Sequence, residues 1–170
     1  MGSYQTVIVG TDGSESSFRA VDKAAAVAKD AGATLVIACA YTPSRDGGEQ
    51  SGTMRGAWKS AKPHHSEPGA SDVLGEESYK VAGSSPAESV LQDASDRARK
   101  VGVNDKDIKT DAVAGDPVDA LVDLVGKHKA DLIIVGNRGL NSLAGRLLGS
   151  VPANVSHRAS CDVLIVHTTG

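Results

Sequence analysis

Five short apolar runs punctuate the chain: Thr6-Val-Ile-Val-Gly10, Thr34-Leu-Val-Ile-Ala-Cys-Ala40, Thr110-Asp-Ala-Val-Ala114, Asp131-Leu-Ile-Ile-Val-Gly136 and Asp162-Val-Leu-Ile-Val-His167. Most are continuous rather than alternating, which is the pattern of strands buried on both faces of a parallel sheet. The segments between them change to a period of three and four. Ser14 is placed to cap a helix that carries Phe18, Val21, Ala25 and Ala28 on one face, and Gly32 stops it. Ser85-Pro86-Ala87-Glu88 reads as a cap, a first-position proline and a capping-box acid ahead of Leu91, Ala94, Ala98 and Val101. Asp116-Pro117 opens a third helix with Val118, Leu121, Val122 and Val125 inward and Gly126 near its end. A fourth helical region is expected over 143–159, interrupted by Gly149 and Pro152.

Strands alternating with helices predict an α/β, doubly wound, five-stranded parallel sheet with helices on both faces, because parallel neighbours require right-handed crossovers. One stretch breaks the pattern. Residues 43–84 are rich in Gly, Ser, Pro and charge and carry no sustained period, so the reading is a single domain over 1–170 with a long, flexible insertion there. A short helix over 72–81 is compatible with the local pattern. His64, His65 and Glu67 do not have the spacing of a metal site.

Composition narrows the function. The 170 residues are 40% apolar and 23% charged, with a formal net charge of −3. That balance lacks the basic footprint of a nucleic-acid binder, and no apolar run reaches the roughly eighteen residues that a membrane span needs. A cytoplasmic protein with neither nucleic acid nor membrane as partner is expected. The two cysteines, Cys39 and Cys161, sit in or beside apolar runs and read as core residues, not as a disulfide or metal framework.

Chemistry concentrates at two strand ends. The first strand runs into Gly10-Thr11-Asp12-Gly13-Ser14, and the fourth into Gly136-Asn137-Arg138-Gly139, followed ten positions after Gly139 by Gly149 and Ser150. In an open α/β sheet ligands settle beyond the carboxyl ends of strands at the point where the winding reverses. Glycines allow close backbone approach to an anion, helix-terminal amides face it, and Ser150 adds a hydroxyl. Both turns can share one ligand only if their strands are neighbours, which predicts the strand order 3-2-1-4-5.

With these residues in hand, the sequence closely resembles the universal stress protein family, small Rossmann-like domains related to adenine nucleotide α-hydrolases. The resemblance rests on Val7-Ile-Val-Gly-Thr-Asp-Gly-Ser14, the Asp116-Pro117 helix start, the glycine motif and Cys161-Asp-Val-Leu-Ile-Val-His167. It implies an adenine-nucleotide sensor or buffer of the stress response that holds ATP, with Mg2+ accompanying it, or cyclic AMP. The implied contacts are Gly10, Thr11 and Asp12 at the adenosine, the Ala40 backbone at the adenine and Val135 on the pocket floor. Gly136, Asn137, Arg138 and Gly139 would flank ribose and phosphates, with Gly149, Ser150 and Val151 on the phosphate side. ATP-binding members usually continue the Gly-Ser-Val run with Ser or Thr, whereas Pro152 removes one donor here. Some relatives with a Gly-Ser-Val-Pro-Ala run, like 149–153 here, bind cyclic AMP. Gly10, where other branches carry a bulkier residue, is expected to leave room near the sugar.

Two other readings stand beside this one. An ATP-using or ATP-hydrolysing enzyme of the same superfamily would need a different loop after the first strand, and no nucleophile is paired with a base. His128, His157 and His167 fall at helix ends or on the last strand. An interaction protein without a nucleotide would not need the glycines. The resemblance also implies a homodimer paired through the apolar edge strand Val163-Leu-Ile-Val-His167.

Overall fold

The computed structural model describes residues 3–43, 81–82, 84–138 and 148–168. Its elements run β1 (Thr6–Gly10), α1 (Glu15–Ala31), β2 (Thr34–Thr42), β3 (Val81–Ala82), α2 (Ser84–Val101), β4 (Ile108–Ala114), α3 (Pro117–His128), β5 (Leu132–Gly136), α4 (Ser150–Arg158) and β6 (Asp162–Val166). The five long strands are all parallel and lie in the order β4-β2-β1-β5-β6, as the two-turn argument requires. The two-residue β3, unanticipated from the sequence, pairs with Tyr41 and Thr42 at the end of β2. Tyr41 also pairs with Ala114 of β4, so β3 takes the opposite side of β2. Most of the insertion expected at 43–84, and 72–80 of the expected short helix, lie outside the described residues; Val81 itself is in a strand.

Alternation across the central strands divides the core in two. Val7, Val9, Leu35, Ile37 and Ile134 face α1 and α2, meeting Val21, Ala24, Leu91 and Ala94. Ile8, Val36, Ile133 and Val135 face the other way onto Val118, Leu121, Val125, Val151 and Val155 of α3 and α4. Alanine at so many helix positions, including fully buried Ala20, Ala24, Ala25 and Ala28 of α1, lets that helix sit close on the sheet.

The helix boundaries follow from specific caps. Ser14 accepts from the Ser17 amide, and Gly32 closes α1 in the left-handed region at φ 65°. Asp116 accepts from the Val118 and Asp119 amides with Pro117 just inside the helix. Gly126 falls near the end of α3 as expected, and the helix closes at Lys129, a non-glycine residue at φ 50°. Two expectations need correction. The α2 helix starts at Ser84, ahead of the expected cap at Ser85, so Pro86 sits third in the first turn, where no intrahelical donor is lost. Gly149 caps α4, and Pro152 occupies its first turn rather than interrupting it.

At the far end of α3, His128 Nε2 lies 2.7 Å from Asp111 Oδ2 of β4, whose Oδ1 accepts from Lys127 Nζ at 2.8 Å. Burial resists ionisation of Asp111, but these two hydrogen bonds outweigh it and hold the carboxyl below the usual carboxylate range. The pairing pins α3 to the edge strand and gives His128 a structural role. No helix among the described residues is long and apolar enough to cross a membrane.

Candidate functional site

The β1 and β5 ends meet because their strands are hydrogen-bonded neighbours, with Val9 opposite Ile134. After Gly10 the chain turns through Thr11, whose amide donates to the Ala38 carbonyl of β2 at 2.9 Å. Thr11 Oγ1 and Ser17 Oγ are 2.8 Å apart, and the Gly13 amide donates to Thr11 Oγ1. Asp12, 2% exposed, accepts from the Ser14 amide at 2.9 Å and so fixes the turn that starts α1. Gly13 is at φ +82°. A buried carboxylate beyond a strand end is thus supported by its own loop.

Beside this turn runs a narrow apolar cleft lined by Gly10, Thr11, Ala38, Ala40, Pro117, Ala120 and Leu121. Its cavity volume is about 10 Å³, too little for a purine ring. Leu121 accounts for the closure. Its Cδ1 lies 3.1 Å from where a side chain at Gly10 would begin, so the space expected to be open at Gly10 is filled by leucine. Pro117, Ala120 and Leu121 were not identifiable as cleft residues from the sequence, because their apolar spacing is the same one that builds the core face of α3. Val135, expected on the pocket floor, is fully buried against α3 and α4 and does not line the cleft. Below Asp12, burial pushes the Cys39 thiol up to about 12, with the Asp12 charge adding to the effect, so Cys39 is a protonated core residue.

The second half of the site follows β5. Asn137 donates its amide to the Val166 carbonyl at 2.9 Å and accepts from the Gly149 amide at 3.1 Å, which draws the start of α4 against the end of β5. The first turn of α1 packs on the same loop, with Ser16 Oγ donating to the Arg138 carbonyl at 3.2 Å. Gly139 lies outside the described residues. Gly149 caps α4 with no side-chain hydrogen bond, which leaves helix-terminal amides unsatisfied by a cap. Ser150 Oγ is buried and has no hydrogen-bond partner among the described residues. Leaving such an oxygen unpaired costs about 1–3 kcal/mol. Val151, next in line, is fully buried in the core and anchors this turn of α4. Asp12 and the start of α4 therefore stand on neighbouring strand ends, one carrying a carboxylate and the other donors.

Among the described residues no group of three or more His, Cys, Asp or Glu side chains is placed to hold a metal ion. His64, His65 and Glu67 fall outside those residues.

Comparison with known proteins places this architecture. The sequence model of the universal stress protein family matches residues 3–167. Universal stress protein Rv1636 of Mycobacterium tuberculosis is 50% identical over 169 residues, 99% of this chain and 100% of that protein. Its crystal structure superposes with a TM-score of 0.55, covering 99% of each chain. A universal stress protein crystallised in complex with cAMP has 43% identity and a TM-score of 0.66 over 98% of each chain. A family model spanning nearly all of the sequence, and half of the residues shared end to end with a member, establish that this chain belongs to the universal stress protein family.

Proposed function

We propose that this protein binds an adenine nucleotide between Asp12 and the start of α4, and that cyclic AMP is the ligand it suits, as a nucleotide sensor or buffer in the cytoplasm. The observation that carries the reading is Ser150 Oγ, buried at the N-terminus of a helix and without a hydrogen-bond partner among the described residues. A phosphate oxygen is the acceptor this position fits, since the hydroxyl and the adjacent amides all donate and the helix dipole favours an anion. Pro152 withholds the amide that a longer polyphosphate would use, which favours one cyclic phosphate over the three of ATP. The related protein crystallised with cAMP supports the same choice. The base would enter the cleft beside Ala40, with Leu121 moving off Gly10. Gly10, Thr11, Asp12 and Ala40 would hold the adenosine end, and Gly136, Asn137, Arg138, Gly139, Gly149, Ser150 and Val151 the ribose-phosphate end.

Calorimetry with cyclic AMP, AMP, ATP and GTP tests this directly. Cyclic AMP should bind most tightly and GTP least, and failure of every adenine nucleotide at millimolar concentration would overturn the proposal. Ser150→Ala should weaken cyclic AMP by about tenfold or more, the worth of a hydrogen bond to a charged group. The same variant should leave the melting temperature of the free protein unchanged or raised, because no hydrogen bond among the described residues is lost.

The second part of the proposal is a homodimer through β6. This strand ends the sheet, and Val163, Leu164, Ile165 and Val166 along it are each only partly buried. An apolar edge without Pro or Lys invites pairing with another chain, and antiparallel pairing of the same strand about a two-fold axis closes after one partner. Light scattering should give twice the 17.4 kDa of the chain. Ile165→Pro, which removes a ladder donor, should yield monomer or aggregate, and a monomeric wild-type protein at micromolar concentration would refute the pairing.

A further inference from the structure

Two residues beyond the end of β6, where a chain usually frays, Thr168 is 5% exposed and all of its polar groups are used. Its amide donates to Asn137 Oδ1 at 2.9 Å and its hydroxyl donates to the same oxygen at 2.7 Å. Its carbonyl accepts from Arg19 Nη1 of α1 at 2.8 Å. The backbone amide can only donate, so the Asn137 atom facing it is the carbonyl oxygen, which settles the orientation of that side-chain amide. Thr168 Oγ1 also meets Ser16 Oγ of α1, a hydroxyl pair in which either oxygen can donate.

Asn137 is the link to the phosphate end. Its side chain is held by Thr168, while its main-chain carbonyl accepts from the amide of Gly149, the residue immediately before Ser150. Thr168 Cγ2 also lies 3.5 Å from where a side chain at Gly136 would begin, so it fills the space beside the last residue of β5. One threonine thus connects α1, the loop after β5 and the cap of α4. Donors to a phosphate lose much of their worth when displaced by even an ångström.

We propose that Thr168 is a positioning residue for nucleotide binding: acting through Asn137, it fixes Gly149 and Ser150 where a phosphate needs them. The inference rests on the adenine-nucleotide reading for its ligand, but its geometry exists in the free protein and can be tested there.

Thr168→Val keeps the shape and the two main-chain bonds and removes only the hydroxyl. Cyclic AMP affinity should fall by about fivefold, the worth of one neutral hydrogen bond. Adenosine, which has no phosphate, should bind wild type and variant equally, and Thr168→Ser should restore the wild-type affinity for cyclic AMP. A general loss of structure would weaken both ligands alike; equal loss for adenosine, or no loss for cyclic AMP, would overturn the proposal. Hydrogen exchange of the free protein supplies the ligand-independent arm. The Gly149 amide should exchange faster in Thr168→Val and normally in Thr168→Ser, and unchanged exchange at Gly149 would overturn the proposal. If wild-type protein binds neither cyclic AMP nor any other adenine nucleotide, the nucleotide reading fails, and the exchange rates alone decide whether Thr168 positions the α4 cap.

Discussion

Gly149→Val should lower cyclic AMP affinity by about 10- to 100-fold, the equivalent of one charge-assisted hydrogen bond. Backbone strain is not the cause, because Gly149 sits at φ −63° and ψ 160°, a conformation open to any residue. The cause is approach. A Cβ at this position would lie 3.3 Å from the Asn137 carbonyl oxygen, a tight approach, and 3.5 Å from Pro152 Cδ, in ordinary contact. Valine adds two methyl groups that must point at that carbonyl or into the space in front of the Ser150 hydroxyl, where the phosphate is to lie. The fold should survive with a loss of about 1 kcal/mol, the usual cost of an aliphatic residue at a helix cap. Gly149→Ala should fall between the two. Calorimetry on both variants, with urea denaturation as the control for stability, separates a blocked site from a weakened fold; undiminished binding by the valine variant would show that the phosphate does not approach this turn.

Much of the fold was legible because its signals are local. Val7, Ile8 and Val9 form a short, β-branched, unbroken run that reads as a strand buried on both faces, and Ser14, Asp116 and Gly32 mark helix ends through hydrogen bonds made within a few residues. Strand order was legible for a functional reason, since two glycine-rich turns at β1 and β5 serve one ligand only as neighbours. What the sequence concealed is long-range. Thr168 finds Asn137 across 31 positions, and nothing in the local pattern of either residue announces the pair. Leu121 belongs to a helical stripe whose members all look like core, and only the missing side chain at Gly10 turns this one into the wall of a cleft. In each case a tertiary contact, and not the propensity of the segment, decided the outcome.

Gly13→Ala should cost about 3 kcal/mol of stability, combining left-handed strain of about 1–2 kcal/mol with overpacking of about 1–3 kcal/mol. Gly13 holds φ +82°, and a Cβ there would come within 2.7 Å of Val90 Cγ2 on α2, closer than two carbon atoms can stand. The turn has little freedom to yield, since the Gly13 amide is bonded to Thr11 Oγ1 and the next amide to Asp12. Gly32 provides the control: it has φ +65° with nothing within 4 Å of its would-be Cβ. Gly32→Ala should therefore show the strain alone, about 1–2 kcal/mol. The excess at Gly13 belongs to Val90 and should disappear when the contact is removed. In a double-mutant cycle measured by urea denaturation, Gly13→Ala should cost less on a Val90→Ala background than on the wild type, by the overpacking part of the penalty. Because Thr11 and Asp12 are held by this turn, the single variant should also weaken cyclic AMP, and the double variant should recover part of that loss. Equal costs for Gly13→Ala and Gly32→Ala would mean that α2 moves aside freely and that Val90 does not hold the Asp12 turn in place.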